Sequence, residues 1–152
     1  MIGANLNLVD STAADEGYKV DDATGTGAGW HVTLSATTFT NGSHTLAGTG
    51  ALSTNGSISS PNATTAPAAS CVTVGACTVP TNSTTYPVAV TTAASSTAPV
   101  TIYDAAAGTG LGDIQIGGNT ARNPVGWWLS VPATAHEGAY TSTLTFSIVS
   151  GP

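Results

Sequence analysis

The stretch YTSTLTFSI, Tyr140 to Ile148, alternates along its whole length. Tyr140, Leu144, Phe146 and Ile148 fall on one face, with the small Ser142 among them, and Thr141, Thr143, Thr145 and Ser147 fall on the other. A period of two with a hydroxylated, β-branched outer side predicts a half-buried strand. Working outward, Trp30, Val32 and Leu34 alternate with His31, Thr33 and Ser35, and Leu6 and Leu8 alternate with Asn5 and Asn7. Tyr86, Val88 and Val90 form a shorter set in which Pro87 marks an edge or a strand start. Val100–Tyr103, Asp113–Ile116 and Val125–Val131 are further strand candidates. No window sustains a helical period, because Thr, Ser, Gly and Pro interrupt every alanine-rich run.

Turn residues separate these runs at Asn41-Gly42, Asn55-Gly56, Gly117-Gly118-Asn119 and Glu137-Gly138. Many short strands with frequent turns predict an all-β chain, a single antiparallel β-sandwich of the Ig-like, Greek-key type. Residues 1–152 are expected to form one domain, with Ser53 to Ser70, rich in Ser, Thr, Asn, Ala and Pro, as a long surface loop. Residues 1–10 read as an edge strand or as a strand donated to a neighbouring copy, with Ile2, Leu6 and Leu8 as its apolar contacts.

Composition narrows the function. Charged residues make up 7% of the 152, and Lys19 and Arg122 are the only strong cations against eight acids, a formal net charge of −6. Ordinary domains are about 25% charged. A neutral, hydroxyl-rich surface suits an extracellular protein at a cell surface or wall. Two cations cannot neutralise a phosphate backbone, which excludes nucleic acid as a partner. No apolar run approaches the ~18–20 residues that cross a bilayer, so membrane insertion is not expected. The chain opens almost at once on a strand-like run with no signal-peptide pattern, as expected of a secreted form whose targeting segment has been removed. Cys71 and Cys77, in CVTVGAC, are spaced for a small disulfide loop. No second Cys or His pair accompanies them, and no metal or cofactor is expected.

The aromatic and polar candidates follow. Consecutive residues on a strand face opposite ways, so one of Trp127 and Trp128 is expected in the core and the other exposed or at an interface. An exposed tryptophan can stack on a sugar ring or anchor a protein partner. Trp30, the third tryptophan, is expected to face the core. The acids Asp10, Asp15, Glu16, Asp21, Asp22, Asp104, Asp113 and Glu137 read as solvated loop carboxylates. His31, His44 and His136 lack metal-ligand spacing, and there is no G-x-S-x-G elbow, so the chain is not expected to be an enzyme. Sequons at Asn41, Asn55, Asn62 and Asn82 are candidate glycosylation sites. The turns Gly25–Gly29 and Gly108–Gly112 are expected to serve backbone geometry.

Three segments together resemble the WxL domain, a family of secreted cell-wall-binding domains of Gram-positive bacteria and their relatives. They are VDDATGTGAGWHVTLSATTFTNG (Val20–Gly42), YDAAAGTGLGDIQI (Tyr103–Ile116) and WLSVPATAHEGAYTSTLTFSIVSGP (Trp128–Pro152). The two Trp-x-Leu signatures of the family fall here at Trp30-His31-Val32 and Phe146-Ser147-Ile148, with Val and Ile for Leu and Phe for the second Trp. A literal Trp-x-Leu at Trp127–Leu129 lies on a different strand from either. The resemblance implies non-covalent attachment to peptidoglycan, with cell-wall glycan or other surface proteins as partners. The alternative is a structural subunit of a filament or surface layer, a homopolymer built by donation of the N-terminal strand.

Overall fold

The computed structural model describes residues 4–12, 16–46, 49–94, 98–118 and 123–151. The organising strand is β3 (Trp30–Thr37), whose Trp30, Val32, Leu34 and Ala36 are buried in alternation, as its sequence period requires. Along one edge it pairs antiparallel with the last strand, β10 (Leu144–Ser150), which sets Ile148 opposite Val32 and Phe146 opposite Leu34. Its other edge is shared. β7 (Val100–Ala105) pairs antiparallel with Trp30–Leu34 across a register shift between Val32 and Thr33, and β6 (Val88–Ala93) pairs parallel with Ala36 and Thr37. The sheet continues from β6 through β4 (Thr49–Asn55) and β9 (Gly126–Val131) to β1 (Leu6–Asp10).

A three-stranded sheet, β2 (Gly17–Asp22), β8 (Gly112–Gly117) and β5 (Ala69–Cys71), in the order β2-β8-β5, packs against this larger one. Val20, Ile114 and Ile116 from the small sheet meet Trp30, Val32, Leu34, Leu52, Val90 and Ile102 from the large one in the main core. The fold is therefore the expected all-β sandwich, with one amendment. The sheets are not purely antiparallel, because β6 joins β3 in parallel where β7 ends.

Several boundaries move. The segment expected as a loop from Ser53 to Ser70 loses Ser53–Asn55 to β4 and Ala69–Ser70 to β5. Its middle is tied down: Asn55 Nδ2 donates to the Ser60 and Pro61 carbonyls, and the Gly56 amide donates to the Thr65 carbonyl. Buried Asn55 thus organises the segment that a Ser/Thr/Pro-rich composition presents as featureless. At the N-terminus, β1 pairs with β9 of its own chain from Leu6↔Val131 to Asp10↔Trp127 and forms a sheet edge; Ile2 lies outside the described residues. Cys71 and Cys77 form the disulfide. Pro87 stands just before β6, at a strand start as read, but β6 is an interior strand.

The largest departure concerns the stretch that announced the fold. The strand begins at Leu144, not Tyr140, and its apolar face is uncovered: Phe146 is 48% and Ile148 55% exposed. The phase of the alternation was right, since these residues lie beside the buried Leu34 and Val32. Among the described residues the small sheet ends at β2 and has no strand to lay over β10.

Candidate functional site

The two adjacent tryptophans separate as strand geometry demands. Trp128 is 6% exposed, and its Nε1 donates to the Ser57 carbonyl (2.9 Å) and to Asn55 Oδ1 (3.3 Å), so the 56–68 segment caps it. Trp127, on the opposite face of β9, is half-buried and meets Phe146 edge-on, with ring centroids 5.8 Å apart. Tyr18, from β2, meets the same Phe146 at 6.4 Å. These rings, with Leu52, Leu144, Gly17 and Asp10, line an open cleft of about 430 Å³. Burial, with smaller contributions from Tyr86 and Tyr103, pushes the Tyr18 phenol well above its usual value, so it remains a neutral hydroxyl.

The cleft opens into a groove. A 270 Å³ hollow shares Tyr18 and Phe146 with it and adds Lys19, Val20, Val32 and Ile148. A third hollow, of 290 Å³, shares Asp21 and Ile148 with the second and adds Asp22, Thr24, Trp30 and Ser150. The groove thus runs between β2 and β10, with Phe146, Val32 and Ile148 on its floor, Lys19 at mid-length and acids at both ends.

Trp30 is in the core, 2% exposed, with its Nε1 donating to the Gly110 carbonyl at 2.7 Å. A Cβ on Gly110, whose φ is +72°, would sit 2.7 Å from that nitrogen. The second glycine turn is therefore the seat of Trp30. The first is hydrogen-bonded to it, from the Gly108 amide to the Gly27 carbonyl. Both degenerate signatures lie on paired strands, β3 and β10, whereas the literal Trp-x-Leu is on β9.

The acids were expected as solvated loop carboxylates, but Asp10, Asp21, Asp22 and Asp113 lie on strands, two others are buried, and Asp15 lies outside the described residues. Glu16 is buried, and Asp104 is buried on β7. Burial pushes the Asp104 carboxyl up, but four hydrogen bonds from the amides and hydroxyls of Ser83 and Thr84 outweigh this and hold it below its usual value. His31 is half-buried, and its Nδ1 donates to the Gly151 carbonyl, while His44 and His136 stack on each other with centroids 3.7 Å apart. Among the described residues no three His, Cys, Asp or Glu side chains come together to hold a metal.

Of the sequon asparagines, Asn62 is exposed and Asn41 and Asn82 are half-buried. Asn41 accepts from the Ser43 and His44 amides, and Asn82 Nδ2 donates to the Tyr86 hydroxyl. Asn55 is fully buried with its amide engaged, so the folded chain offers no access for a glycan there, contrary to expectation. Sequence reasoning missed Tyr18 and Asp10 as cleft residues. The only available clue was the brief alternation of Tyr18 and Val20 with Lys19 and Asp21.

The chain is thus an all-β sandwich with an open aromatic cleft and a buried Trp30. The WxL domain family, described as surface cell wall-binding, matches residues 5–152, and the chain belongs to it. The protein is accordingly a cell wall-binding domain that works at the cell surface, outside the cell. Comparisons with curated proteins and with solved structures returned no match.

Proposed function

We propose that this domain holds to peptidoglycan without catalysing a reaction, and that the cleft of Trp127, Phe146 and Tyr18 receives a sugar ring of the glycan. The observation that carries this reading is Trp127, half-buried on an open cleft wall with Asp10 as a polar neighbour. Stacking on an indole face needs no charge on the ligand, which suits a domain with so few charges.

The test is sedimentation of the purified domain with isolated peptidoglycan sacculi. Wild type should pellet only when sacculi are present, and Trp127→Ala should remain in the supernatant. Full binding by a folded Trp127→Ala protein would remove the cleft from the account. Pelleting without sacculi would favour the other reading, assembly into a filament or surface layer. That reading draws on the exposure of Leu6 and Leu8 on the edge strand β1, but β1 must first leave its five-residue register with β9.

A further inference from the structure

Strands β2 and β10 end their respective sheets, and among the described residues each pairs on one side only. They run in the same direction along the groove: Tyr18 faces Phe146 at one end, and Asp21 and Asp22 share a hollow with Ile148 and Ser150 at the other. Phe146 and Ile148 point toward the small sheet, since each lies beside a core residue of β3, yet they are about half exposed. The geometry is that of a sandwich whose smaller sheet is one strand short. The vacant position lies beside β2 and above β10.

We infer that this position accepts an extended segment of another protein, which adds a strand to β2 and buries alternate apolar side chains on Phe146, Ile148 and Val32. Three observations specify the occupant. The free edge of β2 offers amides and carbonyls at strand spacing, which a polypeptide backbone matches and a glycan does not. The apolar floor calls for side chains at every second position. Asp21 and Asp22 outnumber Lys19, the one cation that lines these hollows among the described residues, so that end calls for Lys or Arg. That charge requirement argues against a second copy: the chain carries a net −6, and its own apolar edge strand ends in Asp10 and is already paired with β9. This inference does not depend on the glycan reading, which centres on Trp127; the two sites meet only at Tyr18 and Phe146.

The test uses a fluorescein-labelled peptide of alternating valine and threonine, about seven residues long to match the strands, with a lysine pair at one end. Fluorescence anisotropy should show saturable binding to the wild-type domain. Ile148→Asp should weaken it by about tenfold or more, and the milder Ile148→Thr by less. Replacing the lysine pair by glutamates should weaken binding to wild type. A proline at the centre of the peptide should abolish binding, because it removes a ladder donor. Thermal melting confirms that both variants fold, and both should still pellet with sacculi. Absence of binding at millimolar peptide, or equal binding by Ile148→Asp, would overturn the inference. So would indifference to the lysine–glutamate exchange. Self-association of wild type that Ile148→Asp abolishes would assign the groove to a second copy instead. Loss of sacculus binding by folded Ile148→Thr would assign it to the wall.

Discussion

The indole of Trp127 meets the ring of Phe146 edge-on, with centroids 5.8 Å apart and planes at 86°. The two residues sit on β9 and β10, and β4, β6 and β3 lie between those strands in the sheet. Four inter-strand steps on a flat sheet would hold them about 19 Å apart. The large sheet must therefore curl, and the aromatic contact spans the space between its two arms without closing it. Tyr18, from the small sheet, leans on the same phenyl ring. β2 and the last two strands of the chain thus build one cleft wall.

This arrangement predicts that Trp127→Ala separates binding from folding. Removing the indole empties part of the cleft but leaves Phe146 and Leu52 in place. The thermal midpoint should fall modestly, by roughly the cost of a half-buried aromatic contact, about 1–2 kcal/mol. Sedimentation with sacculi should be lost, and Trp127→Phe should recover part of it.

Trp128→Ala should behave in the opposite way. Its indole is buried beneath the 56–68 segment and hydrogen-bonded to Ser57 and Asn55. Truncation leaves a cavity and an Asn55 carbonyl with one donor fewer, a cost of about 3–5 kcal/mol. Denaturant unfolding measures this. The fraction that remains folded should bind sacculi as wild type does.

Thr54 supplies a stabilising change. It is 1% exposed, and its Oγ1 is the one buried side-chain polar atom without a hydrogen-bond partner among the described residues. Thr54→Val keeps the shape and removes a hydroxyl desolvated without compensation, a gain of about 1 kcal/mol. For a chain of this size that raises the thermal midpoint by about 2–4 °C. A lower midpoint for the valine variant would show that the hydroxyl is satisfied in solution.

The legible part of this fold was the part written in large apolar residues. β3 and β9 could be read because Trp, Val and Leu alternate there against polar neighbours, and that alternation sets Trp127 and Trp128 on opposite faces without saying which is the more buried. β4 was hidden because TGALSTN, Thr49 to Asn55, has the composition of a turn, and only Leu52 carries an apolar side chain of any size. β2 was hidden because Tyr18 and Val20 are too brief a period to stand out. The cleft was half visible. Trp127 could be proposed from sequence, but its partners Tyr18 and Phe146 come from other strands, and pairing across a curled sheet leaves no local mark. The exposure of β10 was not visible at all. An alternating pattern reports which residues share a face, and whether that face is covered depends on how many strands the opposite sheet has.

Asp104 sets the behaviour of the domain in acid. Its carboxylate receives the amides and hydroxyls of Ser83 and Thr84, and it thereby pins the 81–86 segment to β7. Because its folded value is depressed, the stabilisation is complete above the unfolded carboxyl value of about 3.9 and is lost as pH falls through the lower folded value. Wild type should therefore lose thermal stability as pH drops below about 4. In Asp104→Asn every contact around the side chain is a donor, so the new amide NH₂ meets N–H and O–H groups where an acceptor stood. That variant should be less stable than wild type by about 2–3 kcal/mol at neutral pH. The gap should narrow as the medium is acidified, since protonation strips wild type of the same charge. Thermal melts of both proteins between neutral and strongly acidic pH measure the convergence. A gap that stays constant across that range would mean that the Asp104 contacts act through packing and not through the carboxylate charge.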